Sequence, residues 1–501
     1  MEKIQIAVPT LFGVESVAAT ELRRLGLQEV HADTGRVYAL AELADIPRAN
    51  LNLRTGERVQ IFLGSFAAHS FDDLFEGVKA LPWENFIPKD GAFPVKGHCL
   101  DSQLSSEPAC QSIVKKAVAE RLGKVYGCQQ LPEDGSLYQI QFALLRDQVT
   151  MLLDTSGPGL YKRGYREPGV IAPLRETLAA ALVLLSRYHG QDHFCDPCCG
   201  SGTIPIEAAM IARNRAPGLD RNFAAQRWLW LPGELWSQAA EEALDKEYQG
   251  EYHIWGGDID YHAIQVAQRN AARAEVDDVV HFEVADARNF HRRAPAGRLV
   301  LNPPYGERLL DREETALLYQ GLATAVERLA SGWQVHILTA YPDFELCWGR
   351  SADKRRKLYN GMLKCQFYSY LGDAAPKDKP KDSLREPYSH VKRQPGSDKE
   401  RSDYSEKKQF GSEKERSNYS GKKQPGSGKE RSAYSGKKQL GSENERGAYS
   451  GKKQPGSGKE RTAYPEKKQL GSEKEQRTYP ERKQFNAASQ QSRGREEKPG
   501  K

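Results

Sequence analysis

"HFCDPCCGSGTIPIEAAMIARN", residues 193–214, passes from a short apolar run through an acid and a glycine turn into a segment with helical spacing. Ile204, Ala208 and Ile211 recur at i, i+4 and i+7, which lays an apolar stripe along one helix face. A strand that enters such a helix through a tight glycine turn is the opening unit of a doubly wound α/β sheet. Its turn lies at the carboxyl rim, where open sheets bind ligands. The stretch is not GxGxxG and lacks a Lys-Ser/Thr ending, so it is neither a dinucleotide fingerprint nor a phosphate loop. An acid-led glycine turn suits a ligand with a cationic amino-acid end and a nucleoside end. Taken alone it is as readily a plain strand-to-helix connection, so its neighbours decide.

From about Pro168 to Gly372 the same rhythm continues. Strand-like YHIWGGD, VVHFEVAD, RLVLNPP and WQVHILTA alternate with helical YHAIQVAQRNAARA and EETALLYQGLATAVERLA, with Ile264, Ala267 and Ala271 on one face. Asp258 ends one strand, where a carboxylate can accept from two ribose hydroxyls; Asp260 competes for that role or caps the next helix. The spacing from the first acid is 62 residues instead of about 20, and an inserted Trp-rich segment, Pro217 to Gly250, accounts for the excess. Asp286 can accept from an adenine amine or cap a turn. "LNPPY", Leu301 to Tyr305, ends the fourth strand, and its prolines hold the Asn302 and Pro303 carbonyls in fixed directions. The candidate ligand contacts are thus Asp196, Cys198, Gly200, Ser201, Gly202, Thr203, Asp258, Ile259, Asp286, Ala287 and Asn302. The domain closes on KLYNGMLKCQFYSYL, where Asn360-Gly361 signals a two-residue hairpin turn.

The flanks differ. Residues 1 to about 160 mix strand-like runs (IQIAV, RVYAL, VQIFLGSF) with amphipathic helices, a pattern of small α+β units rather than one large parallel sheet. Within residues 373–501, six copies of a 15-residue repeat run from Lys392 to Glu481 with one tyrosine each and almost no aliphatic side chains, which predicts a disordered tail. That tail holds 33 Lys+Arg against 20 Asp+Glu, so the first 372 residues carry a net charge of −7. It is either an electrostatic arm for nucleic acid or a solvated linker. No run has the length of a membrane span, and MEKIQIAVPT lacks the pattern of a secretory leader, which reads as cytoplasmic. Cys195, Cys198 and Cys199 have no second pair nearby, so reduced thiols are expected and no metal.

With these residues assembled, Pro168 to Gly372 resembles a class I S-adenosylmethionine-dependent methyltransferase. PLRETLAAAL, DPCCGSGTIPIEAAMIARN, NPPYGERL and KLYNG resemble the ribosomal large-subunit RNA guanine-N2-methyltransferase family. The region before it resembles the ferredoxin-like and THUMP modules of that family, joined through DTSGPGLYKRGYR. The resemblance implies a ferredoxin-like module over 1–58, a THUMP domain over 59–158 and a Rossmann-like methyltransferase domain over 159–372. The repeats of 373–501 lie outside it. It also implies S-adenosylmethionine as cofactor, RNA as partner, and catalysis by Asn302, Pro303, Pro304 and Tyr305, with Tyr305 stacking on the base. Glu307 and Arg308 are expected to form a structural ion pair.

An RNA partner needs local positive charge on an acidic core. The candidates are Lys162, Arg163 and Arg166 in YKRGYR, Lys115 and Lys116 on a THUMP helix, and Lys354 to Lys357 before the last hairpin. Each cluster is otherwise an ordinary solvated face. Composition alone does not separate ribosomal from transfer RNA, and the NPPY arrangement also serves DNA adenine-N6 and protein glutamine-N5 methylation. A non-catalytic RNA-binding or ribosome-assembly factor is a further alternative.

Overall fold

The structure, a computed structural model, describes residues 3–167, 174–306 and 311–372. The expectations for the repeat tail and for the Glu307–Arg308 pair lie outside the described residues. Among the described residues, fourteen strands form two seven-stranded sheets.

The first sheet contains β1 (Ile4–Pro9), β2 (Gln28–Asp33), β3 (Arg36–Ala41), β4 (Gln60–Ala67), β5 (Val95–Leu100), β6 (Ile140–Leu145) and β7 (Gln148–Asp154). Their order is β2-β3-β1-β4-β7-β6-β5, and every neighbouring pair is antiparallel except β5–β6. The small α+β units expected here share one sheet: β1 pairs with β4 at Ile6–Ile61 and Ala7–Gln60. Ile6 and Ile61 are fully buried in one shared core, which gives the two exposed strand edges a reason to meet.

The second sheet contains β8 (His193–Asp196), β9 (Ile254–Asp258), β10 (Val280–Val284), β11 (Ala296–Leu301), β12 (Gly332–Thr339), β13 (Lys354–Asn360) and β14 (Leu363–Tyr370), in the order β10-β9-β8-β11-β12-β14-β13. The first five are parallel, while β14 pairs antiparallel with β12 and β13. Side chains alternate between two cores, as a period of two requires. Phe194, Val300 and Leu338 face the helices Glu176–Leu185, Thr203–Ala212 and Tyr261–Arg273. Cys195, Leu299, Leu301 and Ile337 face Arg312–Glu327 and Phe344–Trp348. Chain order reverses between β8 and β11, so the ends of these two strands flank the crevice of a doubly wound fold.

Two local expectations shift. The last hairpin forms, but its loop is Gly361-Met362, one residue beyond Asn360-Gly361. Gly361 takes the positive φ (64°) that glycine adopts without a Cβ clash. Lys354 to Lys357 lie inside β13, the hairpin's first strand and the sheet's edge, not ahead of it.

The insertion 217–250 does more than lengthen a loop. Its helix Gly233–Asp245 and the buried Trp228, Leu231 and Trp236 belong to the core of the N-terminal sheet. Trp228 stacks on Tyr138 with centroids 4.9 Å apart and donates its indole N–H to the Leu137 carbonyl at 2.9 Å. Among the described residues, no helix is long and apolar enough to cross a membrane.

Candidate active site

The carboxyl ends of β8, β9, β10 and β11 bring Asp196, Asp258, Asp286 and Asn302 to one rim. Asp196 is 1% exposed, and its carboxylate accepts from the Cys198 N–H at 3.0 Å. Burial pushes its pKa well above the usual range, and the nearby Asp258 charge pushes the same way. A buried carboxylate of this kind is stabilised by an incoming cation.

The glycine turn is held from the neighbouring strand. Gly200 donates its N–H to Asp258 Oδ2 at 2.8 Å, and Asp258 Oδ1 accepts from the Asp260 N–H at 3.0 Å. Gly202 (φ 81°) packs so closely that a Cβ would sit 2.8 Å from the Phe282 ring and 2.9 Å from Ala267. At Gly200 (φ 53°) a Cβ would meet nothing within 4 Å, so the turn opens outward there. Asn270 braces the turn by donating to the Ser201 carbonyl at 3.0 Å, and its own oxygen accepts from the Glu167 N–H at 2.9 Å. Sequence reasoning missed Asn270, which reads as one more polar residue on an amphipathic helix.

Asp260 caps the helix Tyr261–Arg273 through the His262 N–H at 2.8 Å. That leaves Asp258 as the strand-end carboxylate facing the turn. Beside it Ile259 is 68% exposed, an apolar face at the rim. Asp286 accepts from the Arg288 N–H at 2.9 Å and pairs with its guanidinium at 2.6 Å, which holds the carboxyl below its usual range. Ala287 is buried beneath it.

In the NPPY turn, the Tyr305 hydroxyl donates to Asn302 Oδ1. The Tyr305 ring packs against the core that β14 covers, so the ring is not held out as an open platform and its hydroxyl orients the amide. Asn302 Oδ1 keeps a second lone pair for a substrate donor. Pro304 is pinned from behind by the Tyr319 hydroxyl, 2.7 Å from its carbonyl and 2.8 Å from Thr339 Oγ1. Tyr319 and Thr339 carry no local signal in the sequence, since both sit within ordinary apolar runs. Ser201 and Thr203 have their hydroxyls 3.5 Å apart, at the start of the buried helix Thr203–Ala212. Burial lifts the Cys195 thiol to about 12 and the Cys199 thiol well above its usual value, which leaves both as packing groups.

The basic candidates divide. Arg163 is 3% exposed; it pairs with Glu207 at 3.3 Å and donates to the carbonyls of Leu160 and Arg54. It is a buried joint between modules and presents nothing to a phosphate, contrary to the sequence expectation. Arg166 is half-buried on Glu176, the Leu174 carbonyl and Thr203 Oγ1. Lys115 pairs with Glu133 and lies over the Phe93 ring. Lys116 and Lys162 are exposed.

Residues 163–369 match the family described as RMKL-like, methyltransferase domain; residues 5–60 match the RlmL ferredoxin-like domain; residues 68–154 match the THUMP domain. A Bacillus subtilis (strain 168) protein, YpsC, named as an RNA methyltransferase, is 42% identical over 382 residues, covering 76% of this chain and 99% of that protein. A Listeria monocytogenes structure, named as an N6-adenine-specific DNA methylase, is 43% identical with a TM-score of 0.70 and covers 74% of this chain and 97% of its own. The structure of SMU.472, named as a methyltransferase and solved with S-adenosylhomocysteine, is 40% identical with a TM-score of 0.71 and covers 75% of this chain and 100% of its own. The fold and the rim define a class I methyltransferase. The chain belongs to the RMKL-like methyltransferase family, with RlmL ferredoxin-like and THUMP domains ahead of the catalytic one.

The rim fits the cofactor of such an enzyme on its own terms. It offers a buried carboxylate that has no cationic partner among the described residues and suits an amino-acid end, a strand-end carboxylate for ribose hydroxyls, and the exposed Ile259 for an adenine face.

Proposed function

We propose that this protein is an RNA methyltransferase that methylates the exocyclic N2 amine of a guanine, in large-subunit ribosomal RNA. S-adenosylmethionine is its cofactor and supplies an electrophilic methyl group on a sulfonium. The observation that carries the reading is the Tyr305 hydroxyl fixing Asn302 at the end of β11, across the crevice from Asp196 and Asp258. The THUMP domain and the relative named for RNA support RNA as the substrate class. The ribosomal target and the N2 position rest on the family wording of NPPY and its neighbours.

The work of this chain is positioning. A purine amine is a poor nucleophile because its lone pair is delocalised into the ring. Asn302 Oδ1 and the Pro303 carbonyl accept its two N–H groups, so the nitrogen pyramidalises and directs its lone pair outward. Tyr305 keeps the amide oriented, and Tyr319 keeps the loop from moving back. Asp196 and Asp258 hold the two ends of the cofactor, and aligned reactants need little further help. The target base must be unpaired or turned out of its helix, because pairing hides the amine.

Mass spectrometry of nucleosides from separated ribosomal and transfer RNA, in cells with and without the protein, tests the reading. Loss of N2-methylguanosine from the large ribosomal RNA supports it. Loss confined to transfer RNA moves the target, and no loss in any RNA contradicts it.

A further inference from the structure

Four basic residues follow one another on the outer strand of the catalytic sheet, Lys354 and Arg356 on one face and Arg355 and Lys357 on the other. β13 pairs with β14 alone, and Lys354, Arg355, Arg356 and Lys357 are all exposed. Arg355 is matched by Glu345 at 2.7 Å. Among the described residues Lys354 and Lys357 enter no ion pair, while Arg356 donates to the Gly13 carbonyl at 3.0 Å. The last contact comes from the N-terminal module, whose Leu11–Gly13 loop is pressed onto this edge. A Cβ at Gly13 would lie 2.6 Å from the Lys357 carbonyl.

The loop brings an aromatic ring with it. Phe12 is 46% exposed and meets Tyr359 edge to face at 5.8 Å, and the Lys357 ammonium lies 5.5 Å from the Phe12 ring and 5.2 Å from the Tyr359 ring. Met362, at the hairpin tip, is 99% exposed. Charges on an edge strand serve to block pairing with other chains, and lysines alone do that. An exposed ring and a bare methionine work against that purpose, so edge protection does not account for the patch.

Its position does. Leu358, on the same strand, pairs with Cys365 of β14, whose thiol lies 4.0 Å from the Tyr305 hydroxyl of the NPPY turn. The patch is therefore continuous with the site and is built from both ends of the folded region. The first 372 residues carry a net −7, so a polyanion is repelled by the average surface and attracted here. Cations interleaved with rings are the recognition chemistry of single-stranded nucleic acid.

We infer that the free sheet edge formed by Phe12, Lys354, Arg356, Lys357, Tyr359 and Met362 binds the single-stranded RNA flanking the target nucleotide, phosphates on the lysines that reach round it from the two faces and a base on Phe12. The inference rests on the RNA reading above.

The test uses the full chain and a short fluorescein-labelled single-stranded RNA, with affinity measured by anisotropy across a salt series. Lys354→Ala/Lys357→Ala reduces the slope of log affinity against log salt by about 1.4, from about 0.7 per lost single-strand contact. Phe12→Ala weakens binding on the order of 10-fold with the slope unchanged. S-adenosylhomocysteine affinity stays the same in both. Wild-type affinity and slope in both variants overturn the inference. Methyl transfer measured in parallel separates the two claims. Transfer by a wild type whose variants bind normally removes this surface and leaves the function standing. Patch-dependent binding without transfer keeps the surface and removes the function. Should Phe12→Ala fold poorly, crosslinking of 4-thiouridine RNA to the unaltered protein decides: adducts on the Phe12 or Tyr359 peptides support the inference, and adducts only elsewhere overturn it.

Discussion

Gly200 and Asp258, 58 residues apart in the chain, meet across two neighbouring strands, the glycine N–H donating to Asp258 Oδ2 at 2.8 Å. One carboxylate thus both shapes the glycine turn and faces the rim. Asp258→Ala is expected to weaken S-adenosylhomocysteine binding by about 10- to 100-fold, the scale of hydrogen bonds to a charged group. Asp260→Ala removes only a helix cap, costing about 1 kcal/mol of stability and leaving affinity nearly unchanged. Calorimetric titration of both variants distinguishes the roles.

Asp196 gives a pH dependence with a definite sign. Its pKa in the free fold is raised by burial, and the charged form is the one that pairs with an ammonium. Cofactor binding therefore displaces a proton as pH falls through the raised pKa. Affinity is flat at higher pH and drops about tenfold per unit below it, starting above the ordinary carboxylate value of about 3.9. Folding without cofactor has the opposite slope, since the folded state holds the proton more tightly and stability declines as pH rises through the same window. Calorimetry in buffers of different ionisation heat reads the released proton, and Asp196→Asn removes the dependence.

Tyr305→Phe keeps the ring and removes the donor to Asn302. With the amide free to turn, the rate at saturating substrates falls on the order of 10- to 100-fold, as expected for a misplaced reacting group. Cofactor affinity does not move, which pre-steady-state kinetics and a binding titration check together.

Arg163 and Glu207 form an ion pair that is almost wholly buried, with Tyr165 donating to the same Glu207 oxygen at 3.1 Å. Arg163→Ala leaves Glu207 charged and buried without that partner, at a cost of about 3–5 kcal/mol. Lys162→Ala, one residue away and exposed, stays within about 0.5 kcal/mol. Denaturation midpoints of the two variants test the reassignment of this cluster from RNA contact to joint.

Much of the catalytic sheet was legible because each of its parallel strands is a short apolar run that stops at a polar or proline-bearing turn. Asp196, Asp258 and Asn302 could be placed on one rim from that pattern alone. What escaped depends on partners far away in the chain. YKRGYR looks basic and exposed until Glu207 and the Arg54 carbonyl close over Arg163. The tryptophans of the insertion look like a surface excursion until Tyr138 and Leu137 receive Trp228. The pairing of β1 with β4 rests on two residue pairs, too few to leave a periodic trace.

The central claim is that Asn302 positions a guanine amine for methylation, and one measurement bears on it most directly. Labelled S-adenosylmethionine is offered to RNA from cells lacking the protein, with wild type and Asn302→Ala compared and the product nucleoside identified by mass spectrometry. The account predicts labelled N2-methylguanosine in large ribosomal RNA with wild type and a loss of at least about 10²-fold with the variant, at unchanged cofactor affinity. Equal labelling by the two proteins, or no label in any RNA despite cofactor binding, would contradict it.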